Sequence, residues 1–192
     1  YRGASPIQSV ILNNEKKTGI SFMKMSLGMD EGDILQSHEL IIDKSWNKTQ
    51  LESQLSALSI SKILSLLNQI NNEELSYTKQ DSNIATYCKK INKEDSLINF
   101  STPSNEILNK FKAFNEWPGI SFIYKEKLIK IHEIFEKETN SLAQPGEIIS
   151  FNKDGLSIKT NDSSIVITHL QFQNKNIISS KDAFNSYRNF FQ

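Results

Sequence analysis

The chain has 192 residues, enough for one large domain or two small ones. Its 22 basic and 22 acidic residues cancel, so no global charge draws it to nucleic acid, and a single cysteine, Cys88, excludes an internal disulfide framework or a Cys-based zinc cluster. No visible segment reads as a signal peptide and no run approaches the ~18 apolar residues of a membrane span, so a reducing cytoplasm and no membrane contact are expected.

In chain order, Ser5-Pro6 opens a short helix through Ile7, Val10 and Ile11, with Pro6 placed where its missing N–H costs nothing. Two β-like runs follow, Thr18 to Met25 and Ile34 to Asp43, separated by the tight acidic turn Gly28-Met29-Asp30-Glu31-Gly32-Asp33. Thr49-Gln50-Leu51-Glu52 has a capping-box pattern and introduces a helix with Leu51, Leu55, Leu58, Ile63, Leu66, Leu67 and Ile70 spaced for one buried face. Polar residues 78–83 read as a linker. Thr102-Pro103 then caps a helix carrying Ile107, Leu108, Phe111 and Phe114, broken by Asn115-Glu116-Trp117-Pro118-Gly119. Strand-like runs at 120–124, 127–135, 147–151, 155–160 and 164–172, separated by turn signals, predict a small barrel. Ser179 or Ser180 caps a last amphipathic helix with Phe184, Tyr187 and Phe191.

Charge is unevenly spread. Residues 1–77 carry 7 basic and 9 acidic groups, and 78–192 carry 15 and 13, so the second part is the slightly basic one. This footprint is weak, and a solvated surface explains it better than a binding face.

Three ordered stretches resemble methionyl-tRNA formyltransferases. The first is Tyr1-Arg2-Gly3-Ala4-Ser5-Pro6-Ile7-Gln8. The second is Thr18-Gly19-Ile20-Ser21-Phe22-Met23-Lys24-Met25 leading into Met29-Asp30-Glu31-Gly32-Asp33-Ile34-Leu35. The third combines Ala113-Phe114-Asn115-Glu116-Trp117-Pro118-Gly119, the turn Gln144-Pro145-Gly146, and the closing Phe184-Asn185-Ser186-Tyr187-Arg188-Asn189-Phe190-Phe191. The resemblance implies an α/β fold: a truncated Rossmann-like formyl-transfer domain (1–77), a linker (78–83) and a small OB-like β-barrel that helps hold tRNA (84–192). It implies 10-formyltetrahydrofolate as donor, initiator methionyl-tRNA as acceptor, no metal, and a monomer. Of the family's catalytic Asn, His and Asp, only the Asp has a counterpart here, Asp30. Tyr1-Arg2-Gly3 reads as a chain already in progress, so the sequence is expected to be a fragment, inactive alone.

Formyl transfer is acyl transfer to an amine. The amine loses a proton while the carbonyl oxygen turns negative in a tetrahedral intermediate, and a carboxylate near an imidazole can favour the charged ring and relay the proton. By residue chemistry alone, Asp30 and Asp33 read first as turn acids bonding their own backbone; the resemblance reverses this for Asp30, which it makes catalytic, and leaves Asp33 to shape the loop. Met29, Asp30 and Gly32 are expected to meet the pterin ring, with Gly32 leaving room for backbone approach. Arg2 suits a phosphate contact or a structural ion pair equally. Lys89, Lys90, Lys93, Lys110 and Lys112 are candidate phosphate contacts, as are Lys125, Lys127 and Lys130, each also explicable as solvated surface. Trp117 is expected in the barrel core rather than stacked on a base. His38, His132 and His169 lie far apart without metal-ligand spacing. Competing readings are an amino-sugar-nucleotide N-formyltransferase, a formyl-folate hydrolase module, and a non-catalytic OB-like RNA-binding module; the carboxy-terminal ending favours the tRNA enzyme.

Overall fold

Residues 1–192 are described by the computed structural model. Its first strand, β1 (Arg2–Gly3), is only two residues long and pairs in parallel with β4 (Tyr87–Cys88). Between them come α1 (Pro6–Leu12), the antiparallel hairpin β2 (Lys17–Met23) and β3 (Ile34–Ile41), and the long helix α2 (Lys48–Asn71). The parallel order expected of a Rossmann-like unit is therefore present only as the pair β1–β4.

Helix α2 starts earlier than its sequence pattern suggests. Asn47, not Thr49, is the N-cap: its side chain accepts from the Gln50 N–H at 3.0 Å, and the Gln50 side chain accepts from the Asn47 N–H at 2.9 Å. An Asn with Gln three residues on forms the same reciprocal box as Ser/Thr with Glu. The buried face is also narrower than the apolar spacing predicts. Leu51 and Leu66 are buried, whereas Ile60, Leu64, Leu67 and Ile70 are exposed. The helix packs on α1, β2 and β3, which cover only one side of it.

The chain separates into two units, Tyr1–Ile91 and Asn92–Gln192, later than the expected boundary at 78–83. The physical reason is backbone pairing. Thr78 and Ile34 exchange hydrogen bonds at 2.8 and 2.9 Å, and Arg2 N–H donates to Thr86 O at 2.8 Å. Residues 78–91 are thus stitched into the first unit rather than hanging as a linker.

The second unit begins with a single 3-10 turn (Lys93–Ser96) and α3 (Ser104–Ala113), and continues with β5 (Ile120–Tyr124), β6 (Lys127–Lys137), β7 (Ile148–Asn152), β8 (Gly155–Lys159), β9 (Ser164–Phe172), β10 (Ile178–Ser179) and α4 (Ser180–Phe191). These strands coincide closely with the expected runs because turn residues bracket each one. All pairings are antiparallel, in the order β5-β6-β9-β8-β7, with β10 added to β9. The ladder does not join β7 back to β5, so the sheet is open where a closed barrel was expected.

Apolar side chains from alternate strand positions fill this unit: Ile120, Phe122, Ile129, Ile131, Leu156, Ile158, Ile165, Ile167 and Leu170 are buried. Helix α4 seals one end. Phe191 is 2% exposed and lies 4.9 Å from the Phe151 ring and 5.6 Å from the Tyr124 ring, while Tyr187 stacks on Phe172 at 4.3 Å. Trp117, expected in the core, is 56% exposed. Phe114 and Ile120 take the interior places, because Trp117 lies in the turn that joins the end of α3 to the start of β5.

Candidate functional site

Asp30 sits on the ten-residue connection between β2 and β3. The base of that loop is closed by Lys24 N–H donating to Asp33 O at 2.9 Å. Gly32 is buried, and a Cβ there would lie 1.7 Å from Lys24 O. The glycine therefore admits the loop's own returning backbone; the room expected for ligand approach is already filled by the chain. Asp30 itself adopts φ +55°, a left-handed conformation that Asp tolerates better than most residues. Its side chain is exposed, and one carboxylate oxygen, Oδ2, accepts from the Gly3 N–H at 2.8 Å.

That bond ties the loop to β1. Gly3 has φ +127°, and a Cβ would meet Cys88 O at 2.2 Å, so only glycine lets β1 lie against β4 in this conformation. The neighbouring Arg2 is 7% exposed and donates Nε and Nη2 to Gln80 Oε1 at 3.3 and 2.9 Å. Gln80 Nε2 in turn donates to Asp30 O at 3.0 Å and to Gly32 O at 2.7 Å. Arg2 is thus a buried structural partner of an amide, neither of an acid nor of the solvent-facing surface that a phosphate contact requires. Cys88 Sγ accepts from Ser5 N–H at 3.3 Å, and Ser5 Oγ donates to Lys89 O at 2.6 Å, fixing the start of α1 against the end of the unit.

The other expected residues scatter. Met29 is exposed on the same loop with Met25 and Leu27. Asp33 contributes its backbone carbonyl to the loop closure. Lys89 and Lys90 are exposed at the end of the first unit; Lys93 is exposed in the second, in the 3-10 turn. Lys110 turns inward: its ammonium donates to Leu97 O at 2.5 Å and lies 5.9 Å from the Phe114 ring centroid, and burial pulls its pKa below the usual lysine value. It is a poor phosphate contact in that position. Lys112 is half-buried on the same helix. Lys125 donates to Phe190 O at 2.7 Å and to Gln192 O at 3.2 Å. His38 bonds Gln36 at 3.1 Å, His132 bonds Gln171 at 3.0 Å, and His169 pairs with Glu133.

Two features escaped the sequence reading. Gln80 lies in a polar stretch with no local pattern; only its bonds in the fold mark it. In the second unit, Lys127, Lys175, Phe172 and Tyr187 line an open groove of about 340 Å³. Lys175 carries no sequence signal because Lys127 and Tyr187, which line the groove with it, come from β6 and α4.

A β-hairpin and a long helix, followed in the chain by an open antiparallel sheet and a terminal helix, make up the α/β formyltransferase fold. It is shared with HypX from Aquifex aeolicus, solved in complex with tetrahydrofolic acid (TM-score 0.70, 18% identity, 95% of this chain and 32% of that one). It is shared too with an N-formyltransferase from Helicobacter canadensis, solved with folinic acid and dTDP-3-aminofucose (TM-score 0.66, 21% identity, 90% and 62%). Residues 1–67 match the family model described as formyl transferase, and residues 90–188 match the formyl transferase C-terminal domain. The chain belongs to the formyl transferase family. It is 36% identical over 190 residues to the methionyl-tRNA formyltransferase of Caldicellulosiruptor saccharolyticus, covering 98% of this chain and 60% of that relative. It therefore spans less than two thirds of the relative's length.

Proposed function

We propose that this chain forms the aspartate-bearing part and the C-terminal unit of a methionyl-tRNA formyltransferase. The protein would move a formyl group from 10-formyltetrahydrofolate to the amino group of methionyl-tRNA. The observation that carries this reading is the fixed, solvent-facing carboxylate of Asp30 on its hairpin loop, in a chain 36% identical to a protein of that name.

In this reading the amine attacks the formyl carbon and gives its proton to a base, and the C–N bond to folate breaks as that proton passes on to the departing folate nitrogen. Asp30 supplies that base or holds the charge of a neighbouring cationic group. Gly3 N–H fixes one carboxylate oxygen and so sets the direction of the other. The loop's exposed apolar side chains, Met25, Leu27 and Met29, offer a face that suits a flat pterin ring. Gly32 acts indirectly, by closing the loop beneath them. The second unit is read as an open, OB-like sheet that steadies tRNA. Its groove between β6, β9 and α4 sets Lys127 and Lys175, with Glu126, beside the half-buried Tyr187 ring, and such a pairing of basic groups with a ring suits single-stranded nucleic acid.

The test is a formylation assay on the full-length protein with 10-formyltetrahydrofolate, comparing charged initiator tRNA with a dTDP-linked amino sugar. Preference for the methionyl-tRNA is the expected result. Turnover of the amino sugar alone would move the protein to the sugar N-formyltransferases, whose fold it shares.

A further inference from the structure

Four residues of the first unit close a ring. Gly3 N–H holds Asp30 Oδ2, Asp30 O accepts from Gln80 Nε2, Gln80 Oε1 accepts from Arg2, and Arg2 is bonded covalently to Gly3. Every member but one is backbone or has an evident place in the sequence pattern. The exception is Gln80.

We propose that Gln80 is a positioning residue for Asp30, an inference that rests on the catalytic reading of Asp30 above. Its amide has one acceptor and two N–H donors, and the surroundings use all three. A guanidinium only donates, so Oε1 must face Arg2, which turns Nε2 toward the loop. The two hydrogens there meet two carbonyls, Asp30 O at 3.0 Å and Gly32 O at 2.7 Å. Asp30 is held in a left-handed conformation from which an L residue tends to relax. Gln80 restrains it on the main-chain side, Gly3 on the side-chain side. Arg2, being buried, anchors Gln80 to β1, and the Thr78–Ile34 pairing fixes the strand entry two residues before it. The carboxylate's direction is thus set by a side chain that never meets the reacting atoms. Removing that restraint lets the carboxylate wander, and a displacement near 1 Å costs about 100-fold in rate.

The test compares Gln80→Glu, Gln80→Met and Asp30→Asn in the full-length protein, with kcat and both KM values measured for formylation of methionyl-tRNA by 10-formyltetrahydrofolate. Gln80→Glu keeps the length and the acceptor for Arg2 but loses both donors to the loop; Gln80→Met keeps the volume alone. Rates are expressed per folded, folate-binding molecule, so a variant that folds poorly still reports its turnover. The expected result is a kcat about 10- to 100-fold lower in both Gln80 variants, with each KM within about twofold of the parent. In the Asp30→Asn background, Gln80→Glu should cost no further rate, because a positioning residue acts only through the group it positions. Parental kcat in Gln80→Glu, alongside a collapse in Asp30→Asn, overturns the role of Gln80 and leaves Asp30 standing. Losses that multiply in the double variant overturn it as well. Parental kcat in Asp30→Asn overturns the catalytic reading and the inference together, and only that arm does so.

Discussion

At the scale of single residues, the loop from 24 to 33 separates two acids that look alike in sequence. Asp30 presents its carboxylate to solvent, held by a backbone N–H, whereas Asp33 closes the loop through its carbonyl. Asp30→Asn preserves shape and removes both charge and basicity. General acid–base groups contribute about 10²–10⁴-fold, so kcat of the full-length protein should fall by at least ~100-fold with substrate affinities little changed. Asp33→Asn should leave kcat within about twofold, since its carbonyl is untouched. Single-turnover formylation with separate binding measurements distinguishes the two, and near-parental chemistry in Asp30→Asn would show a turn residue mistaken for a catalytic one. The motif alone proposed Asp30 as the base. Its partners were not legible in the sequence: Gln80 follows it by 50 residues, and no local rule selects one glutamine from a polar segment.

At the scale of elements, α3 shows a cap supplied from outside. The residue before it, Pro103, has no side-chain oxygen to offer the first turn. Asp162, in the turn between β8 and β9, accepts instead from Ser104 N–H at 2.9 Å. That hydrogen bond holds its carboxyl below the usual aspartate range, with Thr160 Oγ1 helping. A depressed folded pKa means stability that is fully present above the unfolded value and lost as pH falls through the folded one. Asp162→Ala should therefore destabilise the second unit by about 1 kcal/mol near neutrality, the usual worth of such a cap. The difference from the parent should shrink as pH drops below the ordinary aspartate value of 3.8. Urea melts at several pH values measure it, and a gap independent of pH would mean that packing, not the charge, is lost. The helix start at Thr102-Pro103 was visible in sequence; the distant cap was not.

At the scale of the whole molecule, zero net charge leaves any nucleic-acid contact to a few placed lysines. Lys89, Lys90 and Lys93 are exposed, as is Lys127 beside the groove, while Lys110 is spent on Leu97 O. Binding of methionyl-tRNA by the full-length protein should weaken as salt rises, through counterion release. Replacing Lys127 with Gln should flatten the plot of log K against log salt by about one unit if it holds a phosphate. Lys110→Gln should leave the slope unchanged and lower stability instead. A slope unmoved by Lys127→Gln would remove the groove from the tRNA path.

What the amino-acid sequence determined by itself is local and periodic. Alternation and bracketing turns located the strands of the second unit to within a residue or two, and proline and serine marked the starts of the short helices. The ordered motifs identified the family and singled out Asp30 as the proposed base. Only the tertiary structure decided which apolar residues of α2 are covered, that Trp117 faces outward, that the sheet stays open, and that residues 78–91 belong to the first unit. It alone joined Arg2, Gln80, Gly32 and Asp30. The reason is physical: propensity and periodicity act over a few neighbouring residues, whereas burial, strand closure and side-chain amide contacts depend on which distant segments arrive beside them.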